Sequence, residues 1–102
     1  MNQGIKKKWV DALRSGNYLQ GMGWLAYEGR YCCLGVLCDV VDPTKWDRKG
    51  VTDVYEGLNG ALPPSVMKKA GLSGDVEHML VQANDEAQYS FSEIADFIEE
   101  SL

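Results

Sequence analysis

Past residue 69 the chain has no lysine and no arginine. Residues 70–102 carry eight acids, whereas residues 1–69 carry all ten basic residues against seven acids. With a net charge of −5, the domain is a poor general binder of nucleic acid, because phosphate attraction needs a basic surface. A local basic patch in the first two-thirds remains open. No apolar run approaches the roughly 18 residues of a transmembrane helix. The start, Met1 to Trp9, has no apolar stretch after Lys6-Lys7-Lys8, so no signal peptide is expected. Gly4 is not at the second position, which excludes the myristoylation pattern. Cysteine occurs only at Cys32, Cys33 and Cys38; an odd count with a vicinal pair is a poor disulfide framework. The thiols read as reduced, small hydrophobes, and the chain as cytosolic. Neither a phosphate loop nor a Gly-x-Gly-x-x-Gly motif is present; Gly21 and Gly23 lack the strand–turn–helix setting that would give them that meaning.

What is present is one apolar run, Tyr31-Cys32-Cys33-Leu34-Gly35-Val36-Leu37-Cys38-Asp39-Val40-Val41. Its length and spacing predict a central buried helix over 31–41. Cys33, Leu37, Val40 and Val41 form one face, with Leu34 and Cys38 beside it. A strand is the alternative, since short apolar runs are ambiguous by period. Gly35 inside a helix costs roughly 1 kcal/mol against Ala, and such a glycine marks the close approach of another backbone or of a ligand. At 102 residues the chain is one domain with a single core.

Ile5, Trp9, Ala12 and Leu13 predict a helix over residues 3–15, stopped by Gly16 in left-handed conformation. Glu28-Gly29 predicts a tight turn, with 22–27 paired to 30–33 as a hairpin. Asp42-Pro43 ends the central helix. Residues 44–50 read as a polar loop carrying Lys45, Trp46, Arg48 and Lys49, and 51–62 as one or two short strands. Pro63-Pro64 opens a short helix that Gly71-Leu72 closes. Val76, Met79, Leu80 and Ala83 follow helical spacing over 75–84, with a strand through Met79-Leu80-Val81 as the alternative. Ser90-Phe91-Ser92-Glu93 is a capping box opening a last helix with Phe91, Ile94, Ala95 and Ile98 on one stripe. The expected class is α+β, mainly helical, with four or five helices and a small β-hairpin element.

Chemical signatures are sparse. Cys32, Cys33, Cys38 and His78 could be written as a zinc set, but tetrahedral sites use Cys-x₂₋₄-Cys pairs, and vicinal cysteines point apart. A Cys33 nucleophile with His78 and an Asp39 or Asp85 orienter has no supporting motif, and a thiolate needs an electropositive, partly open setting. Asp96, Glu99 and Glu100 read as a solvated face. Phe91–Ile98 resembles the first helix of a helix-turn-helix, but no recognition helix follows it in this sequence, and no sequence-specific DNA binding is expected. No catalytic residue, metal or cofactor is assigned. The remaining constellation is aromatic and basic: Trp24, Tyr27, Arg30 and Tyr31 around the hairpin, Trp46 and Arg48 in the next loop. Aromatic faces stack bases and guanidinium groups hold phosphates, so these six are candidate ligands of a small nucleotide-like anion. The competing reading makes Trp24 and Tyr27 core and the loop charges solvated.

Trp9-Val10-Asp11-Ala12-Leu13-Arg14-Ser15-Gly16, Cys32-Cys33-Leu34-Gly35-Val36-Leu37-Cys38-Asp39, Leu62-Pro63, Asn84-Asp85 and Ser90–Glu99 resemble a family of small, mostly uncharacterised bacteriophage and prophage proteins. The Cys-Cys-Leu-Gly-Val-Leu-Cys-Asp run is the most specific part. The resemblance implies a phage accessory protein acting in a bacterial cytosol. The function expected from it is non-catalytic: antagonism of host defence by sequestering a small nucleotide-derived immune signal. The alternative is a protein–protein inhibitor of a host factor, acting through the acidic C-terminal helix as a mimic of nucleic-acid charge. A symmetric homo-oligomer, a dimer, is expected, because so short a chain cannot bury all ten aromatic residues and an exposed apolar patch marks an interface.

Overall fold

The structure, a computed structural model, describes residues 1–48 and 50–102. Lys49, one of the basic residues of the expected 44–50 loop, lies outside them.

The first helix, α1, runs Gln3–Arg14 and buries Trp9, Val10 and Leu13. The Asn2 side chain caps it by accepting from the Ile5 amide, and Gly16 follows at φ 78°. Next come strand β1 (Leu19–Gln20), strand β2 (Ala26–Tyr27), strand β3 (Arg30–Tyr31) and helix α2 (Cys33–Val41). Glu28 and Gly29 both have positive φ, as a two-residue type I′ hairpin loop requires. The hairpin is shorter than the 22–27/30–33 pairing predicted: only Ala26↔Tyr31 and Tyr27↔Arg30 are in register.

The central helix starts two residues later than expected. Tyr31 belongs to β3, and Cys32 is the N-cap in extended conformation, its sulfur accepting from the Gly35 amide. Strand pairing to Ala26 outcompetes helix extension here. Residues 33–38 are all buried. Gly35 marks a close approach, and the approaching group is backbone: a Cβ at this position would stand 1.8 Å from the Leu25 carbonyl oxygen. That same oxygen accepts from the Cys32 amide at 3.2 Å.

Asp42 caps a 3-10 turn at Pro43–Lys45. Strand β4 (Trp46–Asp47) then pairs with strand β5 (Thr52–Tyr55), so the expected loop contains a strand. Its pairing is held by Trp46 opposite Tyr55, whose rings meet edge-on at 5.1 Å. Among the described residues five short strands form one mixed sheet in the order β1-β3-β2-β5-β4. β1 lies parallel to β3 and the other pairs are antiparallel. The expected hairpin and the strand expected within 51–62, here β5, are thus joined with β1 and β4 in one sheet.

Helix α3 (Pro64–Ala70) ends at Gly71, φ 72°, where the Gly71 and Leu72 amides both donate to the Met67 carbonyl. Helix α4 (Gly74–Val81) runs into a π-helical turn at Gln82–Glu86, so the strand alternative for 79–81 does not occur. Helix α5 (Phe91–Ser101) carries the full capping box between Ser90 and Glu93. α5 packs mainly on α1, and α4 on α2. The fold is α+β, with five α-helices among the described residues.

Two side chains fix the start of α2. The indole N–H of buried Trp9 donates to the Cys33 carbonyl at 2.9 Å. The Cys33 amide donates to Oδ1 of Asn84 at 3.2 Å, and Asn84 is itself wholly buried. Asn84 also accepts from Gln20 and donates to the Gly21 carbonyl and to Asp85. All the hydrogen-bonding positions of its amide are thereby used, as burial of an amide demands.

The Leu25–Gly35 approach leads to a prediction. Gly35→Ala gains helix propensity but drives a methyl into a backbone carbonyl that cannot rotate away. It is expected to destabilise the fold by on the order of 3 kcal/mol, read as a lower urea midpoint. A loss under about 1 kcal/mol would show that the approach is not a constraint.

Candidate functional site

Because side chains alternate along a strand, Arg30 and Tyr31 leave β3 on opposite faces. The six candidate residues are divided accordingly. Tyr31, Trp46 and Arg48 gather on the face toward α2. Trp24, Tyr27 and Arg30 gather on the outer face.

The inner group is a polar and aromatic network whose members bond to one another. Tyr31 meets Tyr18 and Trp46 edge-on, at 5.1 and 5.8 Å. The Arg48 guanidinium lies 4.8 Å from the centre of the Trp46 ring and 5.8 Å from that of Tyr31. It donates to Asp53 at 2.5 Å and stands 3.6 Å from Asp39. Asp39, on α2, also accepts from the Tyr18 hydroxyl at 2.5 Å and from the Trp46 indole at 3.1 Å. Burial and the bond to Asp39 push the Tyr18 phenol well above its usual range. With carboxylates on two sides, Arg48 has its charge matched within the fold. It fastens the β4 region to α2 and to the sheet. The sequence reading missed Asp39 and Asp53 as its partners and Tyr18 as a partner of Asp39; no local signal shows which strands would face α2.

The outer group is open. Trp24 and Tyr27 stack with ring centres 6.2 Å apart and planes 22° from parallel. Both are exposed, at 43% and 37%, so neither is a core residue. Arg30 is exposed beside them. Its guanidinium reaches only the Gln20 carbonyl, at 3.4 Å, and among the described residues it has no acidic partner within salt-bridge distance. Together with Gln20, Gly21 and Met22, these three line a cleft of about 340 Å³. Gly21 keeps it clear: a Cβ there would meet the Arg30 Cβ at 2.8 Å. Gln20 is pinned from behind, donating to Asn84 and to the Tyr89 carbonyl and accepting from the Phe91 amide. Its position in the cleft wall was not legible in the sequence, because these partners lie more than 60 residues away.

The other reactive types are placed as follows. Cys32, Cys33 and Cys38 are free and buried. Burial pushes the Cys32 thiol up to about 11, and the Cys33 and Cys38 thiols also rise, in each case with burial as the main cause. His78 is exposed on α4. Asp85 is bonded to Asn84. Asp96 and Glu99 are not a free acid pair: both grip Arg14, at 2.6 and 2.7 Å. Among the described residues no cluster of three or more His, Cys, Asp and Glu is arranged to hold a metal ion, and no helix is long and apolar enough to cross a membrane.

A family model described as Domain of unknown function (DUF8296) matches residues 1–102. The chain belongs to that family. No curated protein and no solved structure matches the chain.

The buried thiols set a pH dependence. Folded, Cys32 keeps its proton to about pH 11. Unfolded, it ionises near its usual value of about 8.5. Above that value the unfolded chain binds fewer protons, so stability falls as pH rises. The urea midpoint is expected to decline steadily between about pH 8.5 and 11, with the other two thiols adding to the effect. In the folded protein at neutral pH the three thiols are expected to resist a charged aromatic disulfide reagent and to react once denaturant is added. Fast reaction of the native protein, or a flat alkaline profile, would refute this account.

Proposed function

We propose that this protein is a non-catalytic, phage-encoded binding protein of the bacterial cytosol that sequesters a small nucleotide-derived signal of host defence. The outer cleft is its site. One observation carries the reading: a stacked, exposed Trp24–Tyr27 pair stands beside Arg30, a cation without an acidic partner among the described residues, around one cleft. A planar base covers an aromatic face at any sequence, and a guanidinium holds a phosphate through two parallel hydrogen bonds. The cleft volume falls at the small end of ligand sites. The deep burial and raised thiol ranges of the cysteines argue against a thiolate nucleophile. The resemblance of the Cys32–Asp39 run to phage proteins supplies the biological setting.

Tryptophan fluorescence titrations with a panel of cyclic dinucleotides, ADP-ribose and nucleoside monophosphates test it. At least one member is expected to bind. Trp24→Ala and Arg30→Ala are each expected to weaken that binding about tenfold or more. Trp46→Ala and Arg48→Ala act through the inner network and should lower stability first. Absence of binding by every member, or full affinity in both outer-cleft variants, would reject the proposal.

Leu19, Met22, Trp24 and Tyr27 leave apolar surface around the cleft, which a second copy would cover. A two-fold dimer with the cleft near the subunit boundary is therefore part of the proposal. Light scattering should give twice the chain mass of 11.3 kDa; a monomer at high micromolar concentration, with and without nucleotide, would remove this part.

A further inference from the structure

Helix α4 rests on α2 and helix α5 on α1. Between them lies a groove of about 330 Å³ lined by Met79, Ala83, Tyr89, Glu93, Ile94 and Phe97. Met79 and Tyr89 are 44% and 50% exposed, so the groove presents apolar surface to solvent. The rim at Tyr89 is held in place, since its amide donates to Ala83 and its carbonyl accepts from Gln20.

The banks of the groove are acidic. Glu93 is itself a lining residue. Glu100 lies seven residues beyond Glu93 and three beyond Phe97 on α5, and Asp75 lies four before Met79 on α4, so helical spacing puts them on the same sides. All three are exposed, and among the described residues none has a lysine or arginine within salt-bridge distance. Asp96 and Glu99, by contrast, are already neutralised by Arg14 on the α1 side of α5. The unmatched charge therefore flanks the apolar floor and does not coat the helix evenly. That arrangement suits a partner carrying both apolar anchors and cations better than it imitates the regular charge of a nucleic acid.

We infer that the α4–α5 groove docks a basic amphipathic helix of a partner protein, with apolar anchors on the Met79–Phe97 floor and lysine or arginine against Asp75, Glu93 and Glu100. The eleven residues of α5 run about 16 Å, long enough to flank about three turns of a helix. Two or three anchors at i, i+3 or i+4, and i+7 are the way such a groove is filled. A second copy of this chain does not supply the occupant. Its basic helix, α1, already buries the apolar face, Trp9, Val10 and Leu13, inside its own fold.

The test is fluorescence anisotropy with a short labelled helical peptide that has leucine and phenylalanine on one face and lysine and arginine on the other. Two controls accompany it: a scrambled peptide of the same composition, and one with glutamine in place of each cation. The amphipathic peptide is expected to bind, more weakly as salt is raised. Scrambling or neutralising it should cost about tenfold or more, as should Met79→Arg or Glu100→Lys in the protein; both sites are exposed, and circular dichroism confirms the fold of each variant. Equal binding of the scrambled peptide would mean bulk charge alone and would overturn the inference. So would no binding by any peptide, or self-association of the protein in sedimentation that Met79→Arg abolishes.

Discussion

The carbonyl of Leu25 rests against α2 where Gly35 has no side chain, and much of the architecture depends on that contact. It lets the hairpin lie on the N-terminal turn of the most buried helix. The first peptide groups of α2 are then held from three directions. Leu25 takes the Cys32 amide, Asn84 takes the Cys33 amide, and Trp9 donates to the Cys33 carbonyl. A helix start buried without such partners would leave orphan amides in apolar surroundings. Here each partner comes from a different part of the chain, so the helix start is also the point at which α1, the hairpin and the π-helical turn are aligned.

From this alignment follows the separation of the two aromatic groups. With β3 running directly into α2, Tyr31 must face the helix and Arg30 must face away. The inner side becomes a bonded network in which Arg48, though exposed to solvent, is answered by Asp39 and Asp53. The outer side keeps a cation and two rings in the open. Chemistry of one kind, aromatic plus guanidinium, thus does structural duty on one face and is free to meet a ligand on the other.

Much of the fold was legible in the sequence because its signals are local. The capping box at Ser90–Glu93, the Gly16 and Gly71 stops and the Glu28-Gly29 turn each act within a few residues, and each is found where expected. The strands β1 and β4 were not legible, since two residues carry no period and their pairing depends on partners elsewhere. The start of α2 was misplaced for the same reason: Tyr31 reads as helix until Ala26 is set beside it. All six candidate site residues could be named from type alone, but not their division. A period of two across Arg30 and Tyr31 was the available signal. Asn84 and Gln20 could not have been found that way, because an amide's role is fixed by what lies around it, and here that means residues from both ends of the sequence.

The pairing of α1 with α5 bears on how the molecule is made. Arg14 reaches Asp96 and Glu99 across more than 80 residues, and α5 packs chiefly on α1. Of the five described α-helices, α1 leaves the ribosome first and its neighbour α5 last. Until residues 91–101 emerge, that side of α1 has no cover. Closing so long a loop is slow, because its entropy is lost before the contact is gained. The side of α1 that packs on α5 therefore stays without its partner until α5 has been made.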